Sequence, residues 1–292
     1  MTGASPPGVQ RLARFCLTTA DAERLATFYQ DAFGARRSDA ERLGSPVFQR
    51  QMGVGGRAWR IALQLGAATI DLIEFDDPGA PYPAGASTSD RIFQHLAIVV
   101  ADMNAACERL SATTGWTAIS TDGPQTLPAS AGGVTAFKFR DPEGHPLELL
   151  AFPERETPAR WRIDAADGAC LGIDHSAISV ADTPRSIAFY QQLGLTVSAR
   201  SVNRGPEQGR LDGLGNPCVE VVAVTPPDPC PHIELLGYVG AIGGGYRVRN
   251  NDIAATRLVL EGAGSPRALI DPDGHRLVIQ PAGRDKATFA LD

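Results

Sequence analysis

No stretch of the sequence reaches the roughly 18 consecutive apolar residues that a bilayer-spanning helix needs. No basic run is long enough to displace counterions from nucleic-acid phosphates, and 27 basic against 33 acidic residues leave a net charge of −6. Basic pairs such as Arg36-Arg37 therefore read as solvated surface, and nucleic acid is not an expected partner. The segment Met1 to Pro7 lacks the basic start and apolar centre of a secretion signal. The five cysteines (Cys16, Cys107, Cys170, Cys218 and Cys230) are odd in number, widely spaced and without a CxxC pair. They predict free thiols in a reducing compartment, not a disulfide frame or a zinc knuckle. A cytoplasmic location is the expectation. There is no G-x-S-x-G elbow, and neither Cys218 nor Cys230 has a histidine close in sequence, so nucleophilic hydrolysis has no support. Gly243-Gly-Gly245 lacks a Walker lysine and reads as a flexible approach, not a phosphate cradle.

What is present is ordinary globular material, 43% hydrophobic and 21% charged over 292 residues, a length that favours about two domains. The 31 glycines and 22 prolines suit many short strands joined by turns. Four segments repeat at intervals of about 70–80 residues. They are Phe15 to Asp21, Leu96 to Asp102, Ser176 to Asp182 and Tyr246 to Asp252, each a β-branched or apolar run ending in Asp. After each Asp comes helical spacing: Leu25, Phe28 and Tyr29; Ala106, Arg109 and Leu110; Ile187, Phe189 and Tyr190; Ala255, Leu258 and Val259. The Asp predicts an N-cap, and Gly34, Gly115, Gly194 and Gly262 predict the stops. Strands are expected over 60–65, 68–73, 136–139, 147–150, 218–224 and 232–236. Two closing strands follow nearly identical turns, Asp141-Pro-Glu-Gly-His145 and Asp271-Pro-Asp-Gly-His275, whose histidines read as holding the hairpin. The fourth unit is short and is expected to have lost a strand.

The fold class predicted is α+β: four βαβββ modules paired into two lobes with curved, largely antiparallel sheets. The boundaries are a loose start at 1–10, a first lobe of modules 1 and 2 at 11–152, a linker at 153–168, a second lobe of modules 3 and 4 at 169–282, and a tail at 283–292.

The four modules, the strand–Asp–helix–Phe-Tyr–Gly-Leu pattern from His175 to Leu195, and the run Arg140-Asp-Pro-Glu-Gly-His-Pro-Leu-Glu-Leu-Leu150 resemble the vicinal oxygen chelate superfamily. That group holds glyoxalases, extradiol dioxygenases, epimerases and antibiotic-binding resistance proteins. The resemblance implies a metal ligand at the start of each module's first strand and another in its last strand. Carried onto this chain, the first position falls on Arg14, His95, His175 and Gly245, and the second on Asp71, Glu148, Glu234 and Val278. Neutral imidazoles and carboxylates suit divalent first-row metals such as Fe, Mn, Ni, Zn or Co. His232 shares a strand face with Glu234 and is the best substitute ligand or substrate contact. If modules 2 and 3 pair, which the count of ligands favours, His95, Glu148, His175 and Glu234 converge. If modules 1 and 2 pair, which their adjacency in sequence favours, the site is Asp71, His95 and Glu148, with Arg14 binding substrate or clamping Asp71. Module 4 is expected to contribute packing only.

Three functions remain open on the sequence. The first is a glyoxalase-type lyase or isomerase in which Glu148 or Glu234 moves the proton. The second is an extradiol dioxygenase, against which the absence of ligands from module 4 counts. The third is a metal-free protein that binds a small molecule. A small-molecule partner is expected in each case, and a homodimer is admissible.

Overall fold

A computed structural model of the chain describes residues 8–163, 169–240 and 243–281. Module 1 consists of β1 (Val9–Thr18), α1 (Ala22–Phe33), β2 (Arg36–Arg37), β3 (Glu41–Leu43), α2 (Pro46–Met52), β4 (Ala58–Leu65) and β5 (Ala68–Phe75). Module 2 has β6 (Gln94–Val100), α3 (Met103–Ser111), β7 (Thr117–Ala118), β8 (Gln125–Thr126), β9 (Thr135–Arg140) and β10 (Pro146–Ala151). Module 3 has β11 (Cys170–Val180), α4 (Thr183–Gln192), β12 (Thr196–Arg204), α5 (Pro206–Asp212), β13 (Cys218–Thr225) and β14 (His232–Tyr238). Module 4 retains β15 (Arg257–Gly262), β16 (Arg267–Ile270) and β17 (Arg276–Pro281).

The N-cap reading holds for three modules. Asp21, Asp102 and Asp182 are extended, and each carboxylate accepts the amide proton three residues on, as an N-cap should. Gly34 takes φ 70 and closes α1. All six predicted strand segments lie in strands.

Module 4 departs from expectation. Residues 246–252 form no strand, and Asp252 starts no helix; its carboxylate accepts the amides of Ala80 and Arg249 and closes a loop. The run that reads as helical, Leu258 and Val259, lies in β15, which is buried at every residue. A short apolar run buried on both faces satisfies helical and strand periodicity alike, which is why the spacing misleads there. The module therefore lacks a helix as well as a strand. Gly262 ends a strand, and the true first-strand position equivalent to His175 is Arg257, not Gly245. The loose start is shorter than expected, since β1 begins at Val9, whose amide donates to the Leu193 carbonyl at 2.8 Å. The tail 283–292 lies outside the described residues, as does 164–168 of the linker.

Strand pairing settles which modules join. One sheet runs β16-β17-β15-β1-β5-β4-β2, uniting modules 1 and 4; the other runs β12-β13-β14-β11-β6-β10-β9-β7, uniting modules 2 and 3. Within each module the first and last strands pair in parallel, and between modules the first strands pair antiparallel. The pairing of modules 1 and 2 in one sheet is thus corrected. Those neighbours do pack, but through α1 against α3 and not edge to edge. Arg109 on α3 donates to the terminal carbonyls of Gln30 and Asp31 on α1. One apolar core, including Leu25, Tyr29, Ile61, Leu96, Phe139, Ile178 and Leu258, runs through both sheets and the helices between them.

The repeated turns are cross-links between sequential modules. In Asp141 to His145, Asp141 Oδ1 accepts the amides of Glu143 and His145, and Oδ2 meets His145 Nδ1 at 2.8 Å. The buried Tyr29 hydroxyl of module 1 donates to the same carboxylate at 3.3 Å, and Tyr190 of module 3 does likewise to Asp271 at 3.1 Å. Both histidines hold their hairpins as expected, with Nε2 of His145 and His275 each 3.0 Å from a backbone carbonyl, of Thr18 and Ser179. Tyr29→Phe should cost about 1 kcal/mol in urea unfolding, the worth of one hydrogen bond. Asp141→Ala, which leaves two amides and a hydroxyl without their acceptor, should cost at least twice as much. Equal losses would mean that the turn, not the carboxylate, makes the link.

Candidate metal centre

The centre is set by the ladder between β6 and β11. Alternation along β6 sends Leu96, Ile98 and Val100 into the main core and His95, Ala97 and Val99 to the opposite face. Across the antiparallel pair His95 faces Ala177 and His175 faces Ala97, so each imidazole stands beside a methyl group that leaves it room. The flanking parallel strands put Glu148 beside Ala97 and Glu234 beside Ala177. Two histidines and two glutamates from two modules thus share one sheet face by register alone.

His95 Nε2 lies 3.4 Å from Glu148 Oε2, and His175 Nε2 lies 3.5 Å from Glu234 Oε2. Donor atoms of His95, Glu148 and His175 all fall within 4.8 Å of one another, and all three residues are buried. Glu234 adjoins this triad through His175. His232, half-buried at the rim, has Nε2 3.7 Å from Glu234 Oε1 and its ring 5.4 Å from that of His175. Asp174, His175 and His232 form a second donor group. Asp174 Oδ2 meets His175 Nδ1 at 3.1 Å, and Asp174 Oδ1 accepts the indole proton of Trp161. A carboxylate on Nδ1 fixes the imidazole so that Nε2 faces the centre.

Asp71 and Arg14 belong elsewhere. Both lie in the other sheet, where Asp71, fully buried, sits between Arg14 (3.2 Å) and Arg60 (2.6 Å). Asp71 is therefore corrected from candidate ligand to the anion of a buried ion cluster, and Arg14 from substrate contact to its partner. In that sheet Arg14 and Arg257 occupy the places that His95 and His175 hold in the other, as the register shows. Arg257 is 1% exposed and donates to the carbonyls of Ala255, Met52 and Asn250. Val278 packs with Phe48 and Met52 of α2, which fill the face where a site would lie.

Sequence reading missed a second layer. Lys138, 4% exposed, has Nζ 2.6 Å from Asp212 Oδ1 and 3.7 Å from Glu148 Oε2. Asp212 also accepts from Gln208 Nε2 at 2.7 Å and from the Tyr238 hydroxyl at 3.1 Å. A lysine between two phenylalanines in a buried strand is the one signal that pointed there. The groups face a cavity of about 160 Å³ whose walls include Leu127, Val134, Leu150, Phe152, Leu211 and Val219.

Electrostatics suit a ligand set. Burial, Lys138 and His175 push His95 well below its ordinary value, so it is a neutral imidazole. Burial raises the Glu148 carboxyl, with Lys138 and His175 pulling it back. Burial also acts to raise Glu234, but His175 and His232 outweigh it and hold the carboxyl below the ordinary range. Neither nitrogen of His95 has a hydrogen-bond partner, although both are buried. A buried imidazole with two unpaired nitrogens costs stability unless something occupies it. The donor chemistry and that orphaned ring fit a divalent ion.

The model of the glyoxalase/bleomycin resistance protein/dioxygenase superfamily matches residues 11–149 and 172–249. The chain belongs to that superfamily. No curated protein matches it significantly in sequence. Its fold is similar to glyoxalase I from Zea mays, with a TM-score of 0.59 and 15% identity over 93% of this chain and 92% of that one. It is also similar to a putative dioxygenase from Bacillus subtilis subsp. subtilis str. 168, with a TM-score of 0.54 and 12% identity over 93% and 85%. No helix among the described residues is long and apolar enough to cross a membrane.

Two outcomes follow from the charges. Burial opposes protonation of His175, but Glu234, Asp174 and Glu148 outweigh it and raise the group from 6.5 to about 9. A group raised on folding stabilises fully below its unfolded value and loses that stabilisation as pH rises through the folded one. The urea midpoint of metal-free protein should therefore fall between pH 6.5 and about 9. His175→Asn should flatten the fall, leaving the contribution of the same sign from His145, which Asp141 holds up despite burial. An unchanged slope would assign the titration elsewhere. Separately, Asp71→Ala should destabilise by about 3–5 kcal/mol, because it takes the fully buried carboxylate from Arg14 and Arg60, and should leave metal stoichiometry intact. Loss of metal without loss of stability would restore Asp71 as a ligand.

Proposed function

We propose that the protein is a metal-dependent enzyme of glyoxalase type, a lyase or isomerase acting on a small substrate with two neighbouring oxygens. The observation that carries this reading is the His95–Glu148–His175 cluster at one cavity, with neither ring nitrogen of His95 hydrogen-bonded and Glu234 beside His175. His95, Glu148 and His175 would hold the ion. A divalent ion there supplies Lewis acidity to the two substrate oxygens.

The chain's own groups do the rest. Glu234, whose carboxyl His175 and His232 hold below the ordinary range in the metal-free chain, is the base that takes a proton from the substrate carbon and returns it to the neighbouring one. Asp174 keeps His175 in the tautomer that presents Nε2. The apolar walls exclude water while the proton is in transit.

A second reading has one observation in its favour. Two histidines and one carboxylate are also the ligand pattern of Fe(II) oxygenases, so an extradiol dioxygenase acting on a catechol-like substrate is the alternative. Oxygen uptake with catechols separates the two.

Protein purified without a metal-affinity tag should carry one divalent ion per chain by elemental analysis. His95→Ala and His175→Ala should each abolish it. Glu234→Gln should retain the ion and lose at least a hundredfold in turnover of α-hydroxycarbonyl compounds or 2-oxoaldehyde–thiol adducts. Full metal occupancy and activity in His95→Ala would defeat the reading and leave a small-molecule binding protein in its place.

A further inference from the structure

The four modules place a residue directly across the ladder from the closing-strand ligand position, and three of these are alanine. Ala62 faces Asp71, Ala223 faces Glu234 and Ala268 faces Val278. In module 2 the residue facing Glu148 is Lys138. The repeat supplies a methyl group wherever it builds nothing, and a buried ammonium in one place on the cavity face.

Lys138 is the sole lysine or arginine among the described residues that line this cavity. Asp212 holds Nζ at 2.6 Å, and Glu148 Oε2 stands at 3.7 Å, beyond hydrogen-bond reach. An ammonium has three protons to donate, so Asp212 anchors the group without exhausting it. Gln208 gives its Nε2 to the same Asp212 carboxylate. Its Oε1 is buried, 4% of the residue is exposed, and that oxygen has no partner. An unsatisfied buried acceptor beside an unexhausted buried donor is a polar pair that a ligand would complete.

We propose that Lys138 and Gln208 form a carboxylate-binding subsite, so that the substrate carries a carboxylate adjacent to its two chelating oxygens. Lys138 Nζ donates to the carboxylate, Gln208 Oε1 accepts from a neighbouring hydroxyl, and Asp212 is the positioning residue for both. The inference rests on the metal-centre reading above.

The matched pair that tests it is catechol and 2,3-dihydroxybenzoate, which share two vicinal hydroxyls and differ by one carboxylate. Calorimetric titration of zinc-loaded protein should show 2,3-dihydroxybenzoate binding at least tenfold more tightly than catechol. Lys138→Met should bring that ratio to about one, and Lys138→Arg should retain a preference. Because Lys138→Met leaves Asp212 buried without its cation, the double variant Lys138→Met/Asp212→Asn repeats the measurement with both charges removed. A wild-type ratio near one, or a ratio kept in Lys138→Met or the double variant, overturns the subsite and makes Lys138 a pin between β9 and α5. If catechol shows no zinc-dependent binding at all, the metal centre itself fails and the subsite with it.

Discussion

The antiparallel ladder between β6 and β11 is the constraint on which the site depends. Both strands are buried on both faces, so neither can shift without moving an apolar set to the wrong side. That register leaves no freedom in where His95 and His175 stand relative to each other. The flanking parallel pairs then bring Glu148 and Glu234 alongside, each next to an alanine that makes space. The centre is therefore a property of strand pairing and needs no loop to order it.

The sheet of modules 1 and 4 obeys the same geometry with different side chains, and the comparison shows what the chemistry requires. Arginines stand where the histidines would be, and the one carboxylate at a ligand position, Asp71, is taken up by Arg14 and Arg60. Guanidinium groups are donors only and repel a cation, so this face cannot hold a metal ion through them. Phe48 and Met52 of α2 cover it instead. One sheet face carries arginines under α2, and the other carries the histidine and glutamate donors.

Sequential modules are stitched across the two sheets. Tyr29 reaches Asp141 and Tyr190 reaches Asp271, so each Asp-Pro-x-Gly-His turn is anchored by the helix of the preceding module. Trp161 in the linker binds Asp174, which in turn orients His175. The linker thus acts on the centre, although in sequence it reads as a mere boundary.

The pairs His95 with Glu148 and His175 with Glu234 came from the family resemblance, whereas the local signals of the sequence determined the repeat, α1, α3 and α4 with their Asp caps, and the hairpin role of His145 and His275. These are legible because capping, turn chemistry and strand alternation act within about ten residues. Tertiary structure alone decided that modules 2 and 3 share a sheet, since adjacency in sequence says which modules touch and not which edges pair. It alone moved the fourth first strand to β15, because an apolar run buried on both faces carries no period of its own. It alone brought Lys138, Gln208 and Tyr238 to the cavity and Asp212 into contact with all three. Those residues come from two modules, and only the packing of α5 against β9 brings them within reach of one another.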